Sequence, residues 1–136
     1  MKALIDTCII IDVLQKREPF FMDAYNIFIA GANRVFDGAI CAKSVTDVYY
    51  IMHRHFHDDS RTRKALESLF KLFSIEDTTG YDCKKAIVSE MTDYEDAIIA
   101  ETAMRVGADC IITRNISDFS GSAIKVYSPG QFLDII

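Results

Sequence analysis

Short apolar, β-prone runs alternate with longer stretches of helical periodicity from one end of this chain to the other, and few folds satisfy that alternation. It implies an α/β protein with a mainly parallel sheet of four to five strands. The spacing predicts strands over Lys2 to Ile5, Ala39 to Cys41, Ser74 to Glu76, Asp109 to Thr113 and Ile124 to Tyr127. Between them it predicts a helix through Ile9 to Leu14, one from Phe20 or Phe21 to a glycine cap at Gly31, and one opened by a Ser44 cap. Four more follow: Asp58 to Phe73, with a basic first half; Tyr81 to Ser89; Tyr94 to Val106, capped by Thr92 or Asp93; and Pro129 to Ile135. No repeat, linker or low-complexity stretch interrupts the pattern, so residues 1–136 are expected to form a single domain.

Composition narrows the function classes. The opening MKALIDTCIIIDVL is apolar but broken by Asp6 and Asp12, too short for a membrane span and without a signal-peptide cleavage site. A soluble, cytoplasmic protein with no membrane association is expected. Cys8, Cys41, Cys83 and Cys110 never form a C-x-x-C pair and sit mostly in apolar stretches, as reduced core thiols do. A formal charge of −5 excludes a protein that grips nucleic acid through a broadly basic surface; such a partner must be held locally.

In an open parallel sheet, ligands gather at the carboxyl ends of the strands, so acids placed just after strands carry the most information. Asp6 directly follows the first predicted strand, and a charge at that apolar junction is costly unless it has a task. Asp118 follows the fourth strand in ITRNISDF, and strands one and four are neighbours in many such sheets. Asp96 falls in the first turn of a helix whose inward Ala97, Ala100 and Ala103 permit close packing on the sheet. Asp47 falls in the first turn of the helix opened by Ser44. Each of the last two also suits an ordinary helix N-terminus. Together, Asp6, Asp47, Asp96 and Asp118 are candidates to hold Mg²⁺ or Mn²⁺ for phosphodiester hydrolysis, because such ions take oxygen ligands and activate bound water. Without a cation the four would repel one another. They account for most of the formal charge, so a metal-loaded protein would be close to neutral.

Arg114 stands at the mouth of the proposed site, where a guanidinium can pair with phosphate. His53, His55 and His57 lack a zinc-site pattern and read as a solvated helix end. Arg61, Arg63 and Lys64 read as a solvated face. Phe20, Phe21, Tyr25 and Phe28 read as core or as a contact between copies.

The phrases LIDTCIIIDVLQKREPF, SVTDVYYI, DYEDAIIAETA and ITRNISDF, in this order and over nearly the whole chain, resemble the PIN-domain family, especially its small prokaryotic, toxin-type (VapC-like) branch. The resemblance implies an α/β/α sandwich, divalent-metal-dependent cleavage of single-stranded RNA, and frequently a homodimer. For a toxin it also implies an antitoxin partner. Carried over position by position, the family's four acids fall on Asp6, Asp47, Asp96 and Asp118. Asp93 falls where some members carry an accessory acid and metal ligand, and Thr7 and Thr113 where small hydroxyl residues line the site. Three positions differ: the second acid is often Glu where this chain has Asp47, Cys8 replaces a common Asn or Ser, and Asn115 replaces a common acid.

Two other classes compete. A phosphoacceptor receiver domain would need an acid cluster after strand one and a lone Asp after strand three, where this chain offers one Asp6 and a poorly matching Asp77 in EDTTG. A catalytically weakened PIN domain, serving as an RNA-binding or interaction module, would not need an acid at all four positions.

Overall fold

A computed structural model describes residues 1–136. The elements in order are β1 (Lys2–Ile5), α1 (Thr7–Leu14), α2 (Phe21–Ala32), β2 (Asp37–Cys41), α3 (Ala42–Phe56), α4 (Asp59–Leu72) and β3 (Ser74–Glu76). They continue with α5 (Gly80–Ile87), α6 (Tyr94–Arg105), β4 (Cys110–Ile112), a 3₁₀ turn (Ile116–Phe119), β5 (Lys125–Tyr127) and α7 (Pro129–Leu133). All five strands pair in parallel in the order β3-β2-β1-β4-β5. The chain therefore winds outward from β1 in one direction through β2 and β3, then resumes on its other side at β4. The crevice between the carboxyl ends of β1 and β4 is the switch point where such sheets bind ligands.

Strand alternation explains the three layers. Ala3, Ile5, Ile40 and Ile112 pack with Ile9, Ile10, Ile27, Met52, Leu69 and Phe132 from the helices on one face. Leu4, Ala39, Cys41 and Ile111 point the other way, onto Ala97, Ile98, Ala100 and Ala103 of α6 and Ala86 of α5. Both faces are covered, which is why the central strands read as unbroken apolar runs. Burying each Leu or Ile stabilises the fold by roughly 1.5–3 kcal/mol. No helix is long and apolar enough to cross a membrane.

Two expected caps fall elsewhere. Helix α2 continues past Gly31 to Ala32, and Gly31 is there for close approach: a Cβ on it would lie 2.5 Å from Cε1 of Phe73. Helix α3 begins directly at the end of β2, with Cys41 in the cap position and no side-chain cap bond. Ser44 is thus inside the helix, buried, and its Oγ has no hydrogen-bond partner. Asp47 consequently sits in the second turn, not the first. The cap of α6 falls on Asp93, one of the two predicted positions, and a left-handed Gly107 (φ +71°) follows the helix. All four cysteines are free, with Cys41 and Cys110 buried.

Candidate active site

Asp6 is where β1 ends and α1 begins, and both its oxygens are engaged. Oδ1 accepts the backbone N–H of Thr7 at 2.8 Å, capping α1. Oδ2 accepts the hydroxyl of Thr113 at 2.7 Å, bringing the end of β4 against the end of β1. Thr113 is fully buried and in turn accepts the N–H of Asn115 at 3.1 Å, which holds the loop after β4 over the site. Cys8 Sγ is 3.5 Å from both Asp6 Oδ2 and Thr113 Oγ1. Burial, then the charge of Asp6, pushes the Cys8 thiol up to about 11, so it stays neutral and is no nucleophile.

Asp96 comes from the opposite side of the crevice, in the first turn of α6. Its N–H is capped by Asp93 Oδ1 at 3.0 Å, and its carboxylate makes no ion pair. Burial, followed by the negative charges of Asp6, Asp93 and Asp118, pushes Asp96 up to about 6, with Lys43 opposing them. Asp118 stands on the exposed 3₁₀ turn, near enough to act on Asp96 but outside the cleft wall. Asp47 lies on α3 with Oδ2 2.8 Å from Lys43 Nζ.

A cleft of about 380 Å³ brings Asp6, Thr7, Asp47, Asp96 and Asn115 together at the carboxyl edge of the sheet. Larger hollows of about 700 and 800 Å³ elsewhere, both bordered by Met1, contain none of the candidate residues.

Arg114 does not fulfil its expected role. Its guanidinium turns away from the cleft onto Asp12, with Nε 2.7 Å from Oδ2 and Nη2 3.2 Å from Oδ1, and it lies 4.3 Å over the ring of Phe20. Its bidentate geometry serves a buried carboxylate instead of a phosphate. Asp12 is 0% exposed, and an acid inside the apolar TCIIIDVL was the available signal, since such a charge requires a partner. Asp82, also fully buried, is a second such case: burial raises its pKa, but the hydrogen bonds from Arg105 and Thr79 outweigh that and hold it below the usual carboxylate range. Lys43 was also missed, although its i,i+4 spacing to Asp47 was legible.

The sequence profile of the PIN domain matches residues 2–117. The chain belongs to the PIN domain family. No curated protein matches it. In fold it is similar to a toxin–antitoxin complex from Klebsiella pneumoniae, at 28% identity, covering 93% of this chain and 97% of that one with a TM-score of 0.69. It is also similar to VapBC2 from Rickettsia felis, solved bound to a promoter DNA fragment, at 17% identity, with 94% and 98% covered and a TM-score of 0.72. A third is VapC20 of Mycobacterium tuberculosis, a toxin that cleaves the sarcin-ricin loop, at 10% identity, with 90% and 98% covered and a TM-score of 0.65.

The donors in this PIN domain fit a hard divalent cation. They are carboxylate oxygens from separate elements, with one of them, Asp96, already destabilised as an anion by burial and then by its acidic neighbours. No three of them converge as a closed ligand set, so an ion here would be held by one or two carboxylates and by water.

Asp96 allows a stability test. Its folded carboxyl, at about 6, binds a proton more tightly than the reference carboxyl at 3.8, so stability is lost as pH rises through that interval. Asp96→Asn should therefore raise the melting temperature of metal-free protein at pH 7.5, by about 1 kcal/mol once solvent screening is allowed for, or roughly 3 °C. It should not do so near pH 4. Asp93→Ala should do the opposite at pH 7.5, losing about 1 kcal/mol with its cap. Thermal melts in EDTA check both, and a lower melting temperature for Asp96→Asn at pH 7.5 would make that acid a simple helix-end residue.

Proposed function

We propose that this PIN domain is an endoribonuclease that hydrolyses phosphodiester bonds in single-stranded RNA with Mg²⁺ or Mn²⁺, acting in the cytoplasm as the toxin of a toxin–antitoxin pair. The observation that carries this reading is that Asp6 and Asp96 line one cleft at the switch-point crevice, the position where such sheets bind ligands, with no basic side chain in contact with either carboxylate. The toxin–antitoxin neighbours support the partner assignment, and VapC20 supports RNA as the substrate class. A homodimer is the expected assembly.

In this reading Asp6 and Asp96 would hold the ion, with Asp118, Asp47 and Asp93 flanking them. A bound divalent ion would supply an activated water and offset charge developing on the phosphate. The protein's own part is orientation. Thr7 N–H and the Thr113 hydroxyl fix both oxygens of Asp6, so the carboxylate cannot rotate out of the crevice. Asn115, on the loop that Thr113 anchors, lines the cleft and offers an amide to the substrate. No Ser-His or Cys-His pair is available as a nucleophile system, and the neutral Cys8 does not supply one.

Purified protein should cleave unstructured RNA with Mg²⁺ or Mn²⁺ and lose all cleavage in excess EDTA. Activity that persists in EDTA sinks the reading. Binding of RNA with metal but no cleavage would favour the interaction-module alternative.

A further inference from the structure

Lys43 is the second residue of α3, and its backbone is anchored: its N–H donates to Thr78 Oγ1 at 3.2 Å, and that hydroxyl sits 2.8 Å from Cys41 Sγ. The side chain is only 21% exposed, and its ammonium reaches into the cleft, 2.8 Å from Asp47 Oδ2 and 3.4 Å from Glu95 Oε2. Asp47 comes from α3 and Glu95 from α6, so the ammonium ties the two walls together. It is the one basic residue lining the cleft.

The charges in the cleft are therefore divided unequally. Asp47 and Glu95 share a fixed cation. Asp6 is held only by neutral donors, Thr7 N–H and the Thr113 hydroxyl, and Asp96 by no cation in contact. A two-ion site would need carboxylates on both sides of the cleft to be available, with the ions about 4 Å apart. Here one side is already occupied by a compact ammonium that a second dication would have to displace or approach against repulsion.

We propose that Lys43 stands in place of a second metal ion, so that the cleft takes one divalent ion on the Asp6–Asp96 side and uses the Lys43 ammonium as its other positive charge. This rests on the reading above that the cleft binds a divalent ion. An ammonium has three donors; two face Asp47 and Glu95, which leaves one for an oxygen of the RNA phosphate.

The test is the number of Mn²⁺ ions bound by the full chain, stripped with EDTA, dialysed and titrated at pH 7.5, with free Mn²⁺ followed by electron paramagnetic resonance. The parent should bind one ion. Lys43→Met frees Asp47 and Glu95, so it should bind a second ion and hold the first at least about threefold more tightly, because a nearby positive charge is gone. A merely structural lysine would leave the stoichiometry at one ion when removed. Lys43→Arg should stay at one ion. Asp47→Asn should still bind one ion, weakened by no more than about tenfold by the lost charge, while Asp96→Asn should lose it. Two ions on the parent, unchanged stoichiometry and affinity in a folded Lys43→Met, or loss of the ion in Asp47→Asn each overturn the role of Lys43 and leave the metal nuclease reading standing. No ion on the parent overturns both. If Lys43→Met does not fold, Asp47→Asn and Lys43→Arg decide.

Discussion

Asp6→Asn and Asp96→Asn should each lower Mg²⁺-dependent RNA cleavage by at least about a hundredfold, a loss of roughly 3 kcal/mol in transition-state stabilisation. The two side chains reach the crevice from opposite directions, one from the end of β1 and one from the first turn of α6. Replacing either leaves a single uncompensated acid facing the ion position. Asp6→Asn also exchanges one acceptor oxygen for an amide N–H, which cannot accept from Thr7 N–H and the Thr113 hydroxyl together. Asp118→Asn should cost less, since its carboxylate is on an exposed turn outside the cleft wall. Cleavage rates measured under saturating Mg²⁺, with folding verified by circular dichroism, check the ranking. Equal, small losses for all three would show that the crevice is not the reaction centre.

Arg114→Met should be among the most destabilising single changes in the molecule, because it leaves the carboxylate of Asp12 buried without its partner. Removing one member of a buried pair costs about 3–5 kcal/mol, and the lower end applies since the guanidinium is 26% exposed. For a chain of this length that lowers the melting temperature by on the order of 10 °C. The penalty belongs to the stranded charge, not to the ion pair itself. The double variant Asp12→Leu with Arg114→Met should thus lose much less than the two single losses added together. Strictly additive melts would mean that Asp12 and Arg114 do not act on each other. The pair also ties α1 to the residue between Thr113 and Asn115, so part of the cleavage lost in Arg114→Met should return in the double variant.

Much of this is legible in the amino-acid sequence. Lys2–Ile5 was readable because the three apolar positions Ala3, Leu4 and Ile5 end in an acid that cannot continue a buried strand. Helix α6 was readable at its start from Asp93, since capping is a local matter of one side chain. The start of α3 was not. Ser44 has the chemistry of a cap, but the strand runs straight into the helix and the packing of Val48 and Met52 on the core sets the phase of the turn. Gly31 was misread for a similar reason: its lack of a side chain serves Phe73, a residue far along the chain whose ring position no local pattern reveals.

Residue order alone determined the fold class, the carboxyl-edge placement of Asp6, Asp96 and Asp118, and the shortage of any other nucleophile. Periodicity, composition and strand-to-helix junctions are short-range properties, and the switch-point rule converts them into a location. Pairing was decided only in three dimensions. Which acid meets which base depends on strand order and helix packing: Arg114 lies 102 positions from Asp12 and was drawn to it instead of to the cleft. Thr113 lies 107 positions from Asp6 and supplies the hydrogen bond that fixes it. Lys43 and Glu95 meet because α3 and α6 flank the same crevice. A charge in sequence has only its sign and position; its partner, and therefore its task, is selected by the low-dielectric interior, where unpaired charge is too costly to persist.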